Sequence, residues 1–279
     1  YLGPPYIFGF NVISNEITVA SQNCVATANN ITYWMGQNKF YVYSGRVDTL
    51  PCSLRQYIFD DFSLEQSDQV CAGTNERYNE VWWFYVSQTE ANAAAAESRE
   101  PKPDRYVIYN YLEKLWYYGQ LSRTAWFDSH IVGNPLAASN NVMYSQEVGL
   151  DDGSTNPPSA ISCYIQSADF DLGEGDQLSF VSRVIPDIDF IGSTSTTPSA
   201  TITITTRNFP GQGLVIGSEN APVPATGGGA TAQVYDYTNQ IWLRLRGRQV
   251  AFKIESDQAG VQWQLGTPRL QIQPDGRKS

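Results

Sequence analysis

Alternation of apolar and polar side chains at strand period runs through nearly the whole chain. In the N-terminal third the segments YIFGFNV, NITYWM, KFYVYSG, RQYIF and EVWWFYVS are short, rich in rings and aliphatics, and separated by polar turns such as 36–38. Strands this short and this evenly broken predict a sandwich, barrel or propeller rather than a parallel α/β sheet. Trp82, Trp83, Phe84 and Tyr85 are consecutive. Large rings therefore point to both faces of one strand, which predicts an inner strand covered on both sides.

One frame occurs twice: residues 108–116 read IYNYLEKLW and residues 234–242 read VYDYTNQIW. Each is an aliphatic residue, Tyr, Asn or Asp, Tyr, three turn-like residues, an aliphatic residue and Trp. The pattern predicts a hairpin with its connection at 112–114 in the first copy and 238–240 in the second, and a repeated hairpin of this kind is how several propeller families write each blade. Further on, 241–246, 249–255, 261–265 and 269–273 read as four strands joined by short turns, the size of one blade. The alanine-rich window 91–104 predicts a short helix inserted between strands and ended by Pro101 and Pro103.

Between these regions the chain changes character. Residues 129–159 are rich in Asn, Gly, Pro and Asp, as expected of loops around one strand near 142–144, and 160–167 and 178–185 read as two strands. Residues 191–232 carry GSTSTTPSATITITTR, GQG and NAPVPATGGGAT. There TITIT predicts an exposed hairpin strand within flexible flanks, a loop placed to contact a neighbour. The expected organisation is all-β: a β-propeller-type domain of short antiparallel strands with a strand-bearing insertion or platform. Residues 1–190 form blades with loops, 191–233 a Gly/Ser/Thr-rich hairpin insertion, and 234–279 a C-terminal four-stranded blade, within one structural domain overall.

Composition narrows the function classes. The chain has 279 residues, 13% aromatic and only 16% charged, with a formal net charge of −10. That balance argues against sequence-nonspecific DNA binding, which rests on many Lys and Arg contacts to phosphates. No run approaches the roughly 20 apolar residues of a membrane helix, so a soluble chain is expected. The sequence opens without Met and without a signal-like apolar segment, the mark of a processed chain or a part of a longer product.

Candidate chemistry is sparse. His130 is the single histidine, so no His-based metal site or H-E-x-x-H is available, and its neighbourhood FDSHIVGNP reads as a loop. Neither a G-x-S-x-G elbow, a P-loop nor a G-x-G-x-x-G opening a helix is present, and no cofactor is expected. The acidic turns 151–154 and 169–176 lack EF-hand spacing and read as solvated turns. Asp60 and Asp61 are adjacent, so on a strand they point apart and do not converge on a glycosidic bond; a strand end is the expected place. Cys24, Cys52, Cys71 and Cys163 form no C-x-x-C pair and read as buried free thiols. Arg244, Arg246 and Arg248 in RLRGR stand at period two, aimed at one face unless Gly247 introduces a bulge. With Thr201, Thr203 and Thr205 of TITIT they are the candidate contacts to a neighbouring subunit or partner; the competing reading is a charged edge strand that resists aggregation.

Several stretches together resemble the tail nozzle, or tail stabilisation, proteins of P22-like short-tailed phages. They are VDTLPCSLRQYIFDDFS (47–63), NERYNEVWWFYVS (75–87), RYVIYNYLEKLWYYGQLSRTAWFDS (105–129), SADFDLGEGDQ (167–177) and RLRGRQVAFKIES through WQLGTPRLQIQPDGRKS. The resemblance implies a virion structural protein, assembled in the host cytoplasm, with a propeller subunit bearing platform strands. Six copies would ring the DNA channel, dock on the portal's adaptor ring and hold tail fibres, spikes or a needle. It implies no catalytic residues, and an acidic lumen would let genomic DNA pass without specific binding. The alternative is a sialidase-like propeller glycosidase or a carbohydrate- or receptor-binding module. Its best feature is SDQAGVQW (256–263), one residue out of step with the Asp-box turn S-x-D-x-G-x-x-W.

Overall fold

The computed structural model describes residues 4–5, 9, 12–128, 133–173, 177–208 and 228–275. It divides into two compact units, Tyr1–Val148 and Gly149–Ser279. The division falls inside the segment 1–190 that the sequence pattern groups together, and each unit closes its own core.

Unit 1 begins with β1 (Val25–Ala28), β2 (Ile31–Met35), β3 (Phe40–Tyr43) and β4 (Val47–Leu50), paired in that order as an antiparallel meander. Its first hairpin turns on Asn29 and Asn30, both at positive φ (49° and 60°), the backbone that a two-residue connection between right-twisted strands requires. After α1 (Arg55–Asp61) come β5 (Cys71–Asn75), β6 (Glu80–Tyr85), α2 (Gln88–Ala96), β7 (Arg105–Asn110) and β8 (Leu115–Gln120), a second four-stranded meander. Helix α2 is the insertion expected from the alanine run. Ser87 caps it, accepting from the Glu90 amide at 3.0 Å. A third sheet pairs β9 (Ala125–Phe127) with β10 (Leu136–Ser139) and β10 with β11 (Val142–Ser145).

The rings at 82–85 divide between two cores, as consecutive strand residues must. Trp83 and Tyr85 enter the main core with Phe40, Tyr33, Tyr109 and Trp116, while Trp82 and Phe84 pack with Ile108, Tyr106 and Trp126. Ring centroids of 5.1 Å for Phe40–Trp83 and 4.9 Å for Trp82–Trp126 place aromatic contact on both faces of β6. The opening strands β1, β5 and β9 lie side by side, the Ala72 amide donating to the Asn23 carbonyl at 2.8 Å.

Unit 2 opens with the hairpin β12 (Asp151–Asp152) and β13 (Ser159–Ala160). The strands β14 (Cys163–Gln166), β15 (Phe170–Asp171), β16 (Ser179–Ile185), β17 (Ile188–Asp189), β18 (Ser199–Arg207) and β19 (Gly229–Tyr235) follow. Then come β20 (Ile241–Gly247), β21 (Gln249–Ser256), β22 (Gln264–Leu265) and β23 (Arg269–Pro274). Two sheets face each other: β14-β21-β18-β19, with β15 also on β21, and β20-β16-β23. Ile202, Ile204, Val234, Val250 and Ile254 of the first meet Val181, Val184, Leu243 and Leu245 of the second. This is a β-sandwich core.

Three expectations change here, the first being RQYIF, read as a strand but folded into α1. TITIT is not an exposed hairpin within an insertion: it lies in β18, between β21 and β19, with Ile202 and Ile204 1% and 0% exposed. The Thr/Ile alternation puts every isoleucine into the sandwich, so deleting 191–232 would remove a central strand; 209–227 of that stretch lie outside the described residues. The C-terminal strands are not one meander, because β20 pairs with β16, β21 with β14, β15 and β18, β22 with β17, and β23 with β16. Arg248 alone connects β20 to β21 across the two sheets. Gly247 permits this close corner, since a Cβ there would fall 2.8 Å from Thr206 Cβ and 3.0 Å from the Arg207 carbonyl.

The repeated frame also has two outcomes. In the first copy β7 pairs with β8 as a hairpin: Asn110 Oδ1 accepts the Leu112 and Glu113 amides (3.1 and 2.9 Å), and Lys114 takes φ 59°. In the second, Asp236 is exposed and the turn has no left-handed residue, so β19 and β20 part into different sheets. Among the described residues the strands form separate antiparallel sheets, with no closed barrel or propeller.

Candidate functional site

The arginine row is the natural starting point, and β20 explains how it is dispersed. Leu243, Leu245 and Gly247 face the sandwich core, so Trp242, Arg244 and Arg246 share the opposite face. Arg246 is engaged within the chain: its Nε lies 2.5 Å from Asp275 Oδ2, and its Nη2 donates to the Asp275 carbonyl at 2.9 Å. Arg248 leaves the row, because it occupies the corner after Gly247, where its amide donates to the Arg207 carbonyl at 2.8 Å. Arg244 is exposed and forms no ion pair with a described residue.

Around Arg244 lies a shallow groove of about 520 Å³ lined by Phe180, Ser182, Trp242, Leu243 and Arg244. Trp242 is 68% exposed, unusual for so large an apolar ring. The Arg183 guanidinium sits 5.7 Å from the Trp242 ring centroid and donates to Gln240 Oε1 at 3.0 Å. The groove thus offers one open ring face and cations on either side of it. Sequence reading took Trp242 as part of a blade hairpin; the signal that singles it out is its place two residues before Arg244, on the same strand face.

Thr201, Thr203 and Thr205 lie on the outward face of the five-stranded sheet, away from the arginine groove. Thr203 Oγ1 is 3.2 Å from Thr231 Oγ1, and the neighbouring β21 carries a Lys253–Glu255 ion pair. Lys253 also stands 5.3 Å from the Tyr164 ring centroid. This is a flat polar surface whose charges are satisfied locally. The structure does not bring the threonines and arginines into one site.

In unit 1 the opening strands border a second groove, about 250 Å³, lined by residues of β1, β5 and β9 together with Asp128. Asp128 Oδ2 accepts the Glu76 amide at 2.9 Å. At the far end of β5, two carboxyls that sequence reading missed come close. Glu80 accepts from Trp82 Nε1 at 2.9 Å, and Asn75 Nδ2 donates to Glu147 Oε1 at 3.4 Å. Burial, reinforced by the charge of Glu147, pushes the Glu80 carboxyl up to about 7 against the opposing effect of the Trp82 bond, and burial raises Glu147 as well.

The sign of the Glu80 effect is fixed by where the protons sit. Between the ordinary glutamate range and about pH 7 the folded chain holds a proton on Glu80 that the unfolded chain has released, so stability falls as pH rises through that window. Glu80→Gln keeps an oxygen to accept from Trp82 and removes the titration. We expect the variant to gain about 2 kcal/mol relative to the parent between pH 5 and 8, allowing for solvent screening. Denaturant melts of both chains across that range check this; parallel profiles would refute it.

The remaining candidates are structural. Asp60 and Asp61 end α1 rather than a strand, and Asp61 pairs with Arg105 at 3.3 Å. Asp151 Oδ1 accepts the Gly260 amide at 2.7 Å, Asp152 Oδ1 the Ser154 amide at 2.9 Å, and Asp169 pairs with Arg207 at 2.6 Å. No group of three or more His, Cys, Asp or Glu side chains among the described residues is placed to hold a metal ion. The turn in SDQAGVQW is held by Asp151 and by Gln258, which donates to Ser195 Oγ at 3.0 Å; Asp257 makes neither bond. All four cysteines are free; Cys163 is exposed rather than buried, and burial pushes Cys71 to about 12 and Cys52 to about 11. His130 lies outside the described residues. No helix is long and apolar enough to cross a membrane among the described residues. Neither a protein-family model nor a curated protein matches the chain in sequence.

Proposed function

We propose that the chain is a phage virion structural protein, a subunit of a ring-shaped tail nozzle that surrounds the DNA channel and anchors other tail components. One observation carries this reading. In unit 1 three antiparallel sheets are written consecutively, each beginning at a strand that lies beside the opening strand of the next, β1 by β5 and β5 by β9. Radial repetition of sheets from adjacent inner strands is the way propeller blades are built, and it leaves only short edges. Three such sheets in sequence support an arc of a propeller.

The chemistry of an assembly protein agrees with the rest of the chain. Aromatic contacts on both faces of β6 make a stiff support, and a net charge of −10 favours passage of DNA over its capture. The partners in this reading are further copies of the chain in a six-fold ring, a portal-adaptor ring, and fibres, spikes or a needle. Native mass and negative-stain images of the purified protein, dilute and concentrated, test it. A six-fold ring with a central hole is the expected result; a monomer at every concentration, alone and with the adaptor ring, would overturn it.

A further inference from the structure

β20 is an edge strand. In the order β20-β16-β23 it has a neighbour on one side only, and its other edge carries no strand among the described residues. Along its outward face Trp242 and Arg244 stand two residues apart, roughly 6.5–7 Å, the spacing at which alternate side chains of an added strand would meet them. Three arginines, Arg183, Arg244 and Arg246, border this face, and among the described residues Asp275 pairs with one of them, Arg246. Such a local cationic excess in a chain of net charge −10 selects its occupant by charge.

We propose that this edge is a docking site for an extended acidic segment of a partner protein, added as a further strand beside β20. Backbone hydrogen bonds along the open edge would hold the segment. A carboxylate at one position would engage the Arg244 guanidinium, and an apolar side chain two positions along would lie on the exposed ring of Trp242. The same arginines reject an apolar or basic strand, so the device that keeps the edge from aggregating also defines what it accepts. Among the described residues the Asp-x-Asp pairs of a second copy are engaged within the chain, Asp169 with Arg207, Asp171 with Gln249, Asp187 with the Thr267 amide and Asp189 with the Ile191 amide, which favours a different protein as the occupant. The contact is separate from ring closure, so its failure leaves the nozzle reading standing, and the reverse.

Fluorescence anisotropy with a labelled nonapeptide of alternating Glu and Val tests the site on the full chain. The peptide should bind with an affinity that falls with salt and should quench Trp242, and Arg244→Glu should weaken it at least about tenfold. Because Arg244 is exposed, that variant keeps its fold. Its reversed charge should instead bind the alternating Lys–Val peptide, a gain that misfolding cannot produce. Three results would overturn the proposal: no binding of the alternating acidic peptide, equal binding of a peptide with the same residues in two blocks, or tighter binding of oligogalacturonate, which would make the groove a site for acidic sugars.

Discussion

Replacing Trp83 with alanine should cost unit 1 about 3–5 kcal/mol, the range for emptying a large aromatic site in a packed core. Trp83 is 0% exposed, and its ring lies 5.1 Å from Phe40 and 6.1 Å from Trp116, bridging the first two sheets. Its indole also donates to the Cys24 carbonyl at 2.9 Å, so one side chain supplies both the filling and a buried hydrogen bond. Trp83→Phe retains most of the ring volume and loses that bond, for a smaller cost of about 1–2 kcal/mol. Two units need not unfold together, so hydrogen exchange resolved by segment is the better measurement than a single melt. Protection should collapse in β2, β3 and β5–β7 while β18 and β21, which belong to the other core, keep theirs. A loss below about 1 kcal/mol in unit 1 would show that the sheets do not meet at this residue.

The second large effect is expected at Gly73. This glycine has no need of an unusual backbone; it is small because the Trp126 indole lies across β5, where a Cβ would fall 2.6 Å from Trp126 Cγ. The Trp126 Nε1 donates to the Thr74 carbonyl at 2.7 Å, fixing the ring over the strand. Gly73→Val should therefore lever the third sheet off the second, costing roughly 3 kcal/mol and uncovering Trp82 and Phe84. The diagnostic is a double-mutant cycle. With Trp126→Gly already in place, no side-chain atom of residue 126 is left to meet the valine, which should add much less further cost, so the two changes are strongly non-additive. Simple additivity would mean that β9 does not rest on β5, and the succession of blade-like sheets that supports the nozzle reading would lose its third member.

Period-two patterning identified the elements well where one strand face is apolar. The all-β class, the doubly covered strand at 82–85, the hairpin 105–120 and the helix inserted after β6 were all legible from alternation and from the alanine run. Partner choice was not. The two copies of the aliphatic-Tyr-Asn/Asp-Tyr frame differ in turn chemistry rather than in apolar pattern: Asn110 and Lys114 close one hairpin, and Asp236 leaves the other open. The arginine row was legible as a row. That Arg246 is spent on Asp275 and Arg248 lies at the corner, leaving Arg244 with Trp242, depends on residues distant in sequence.

The amino-acid sequence by itself determined most of the strands and several of their turns, because these depend on side-chain alternation and on backbone preferences within a few residues; RQYIF, read as a strand, instead forms α1. The tertiary structure decided which strands share a sheet, since hydrogen-bonding edges are alike along the chain and only the cores choose between them. Hence TITIT became the centre of a sandwich instead of an exposed hairpin, and β20 and β21, joined by Arg248 alone, came to lie in opposite sheets. It also decided where Glu80 meets Glu147 and which arginine remains open beside an exposed tryptophan.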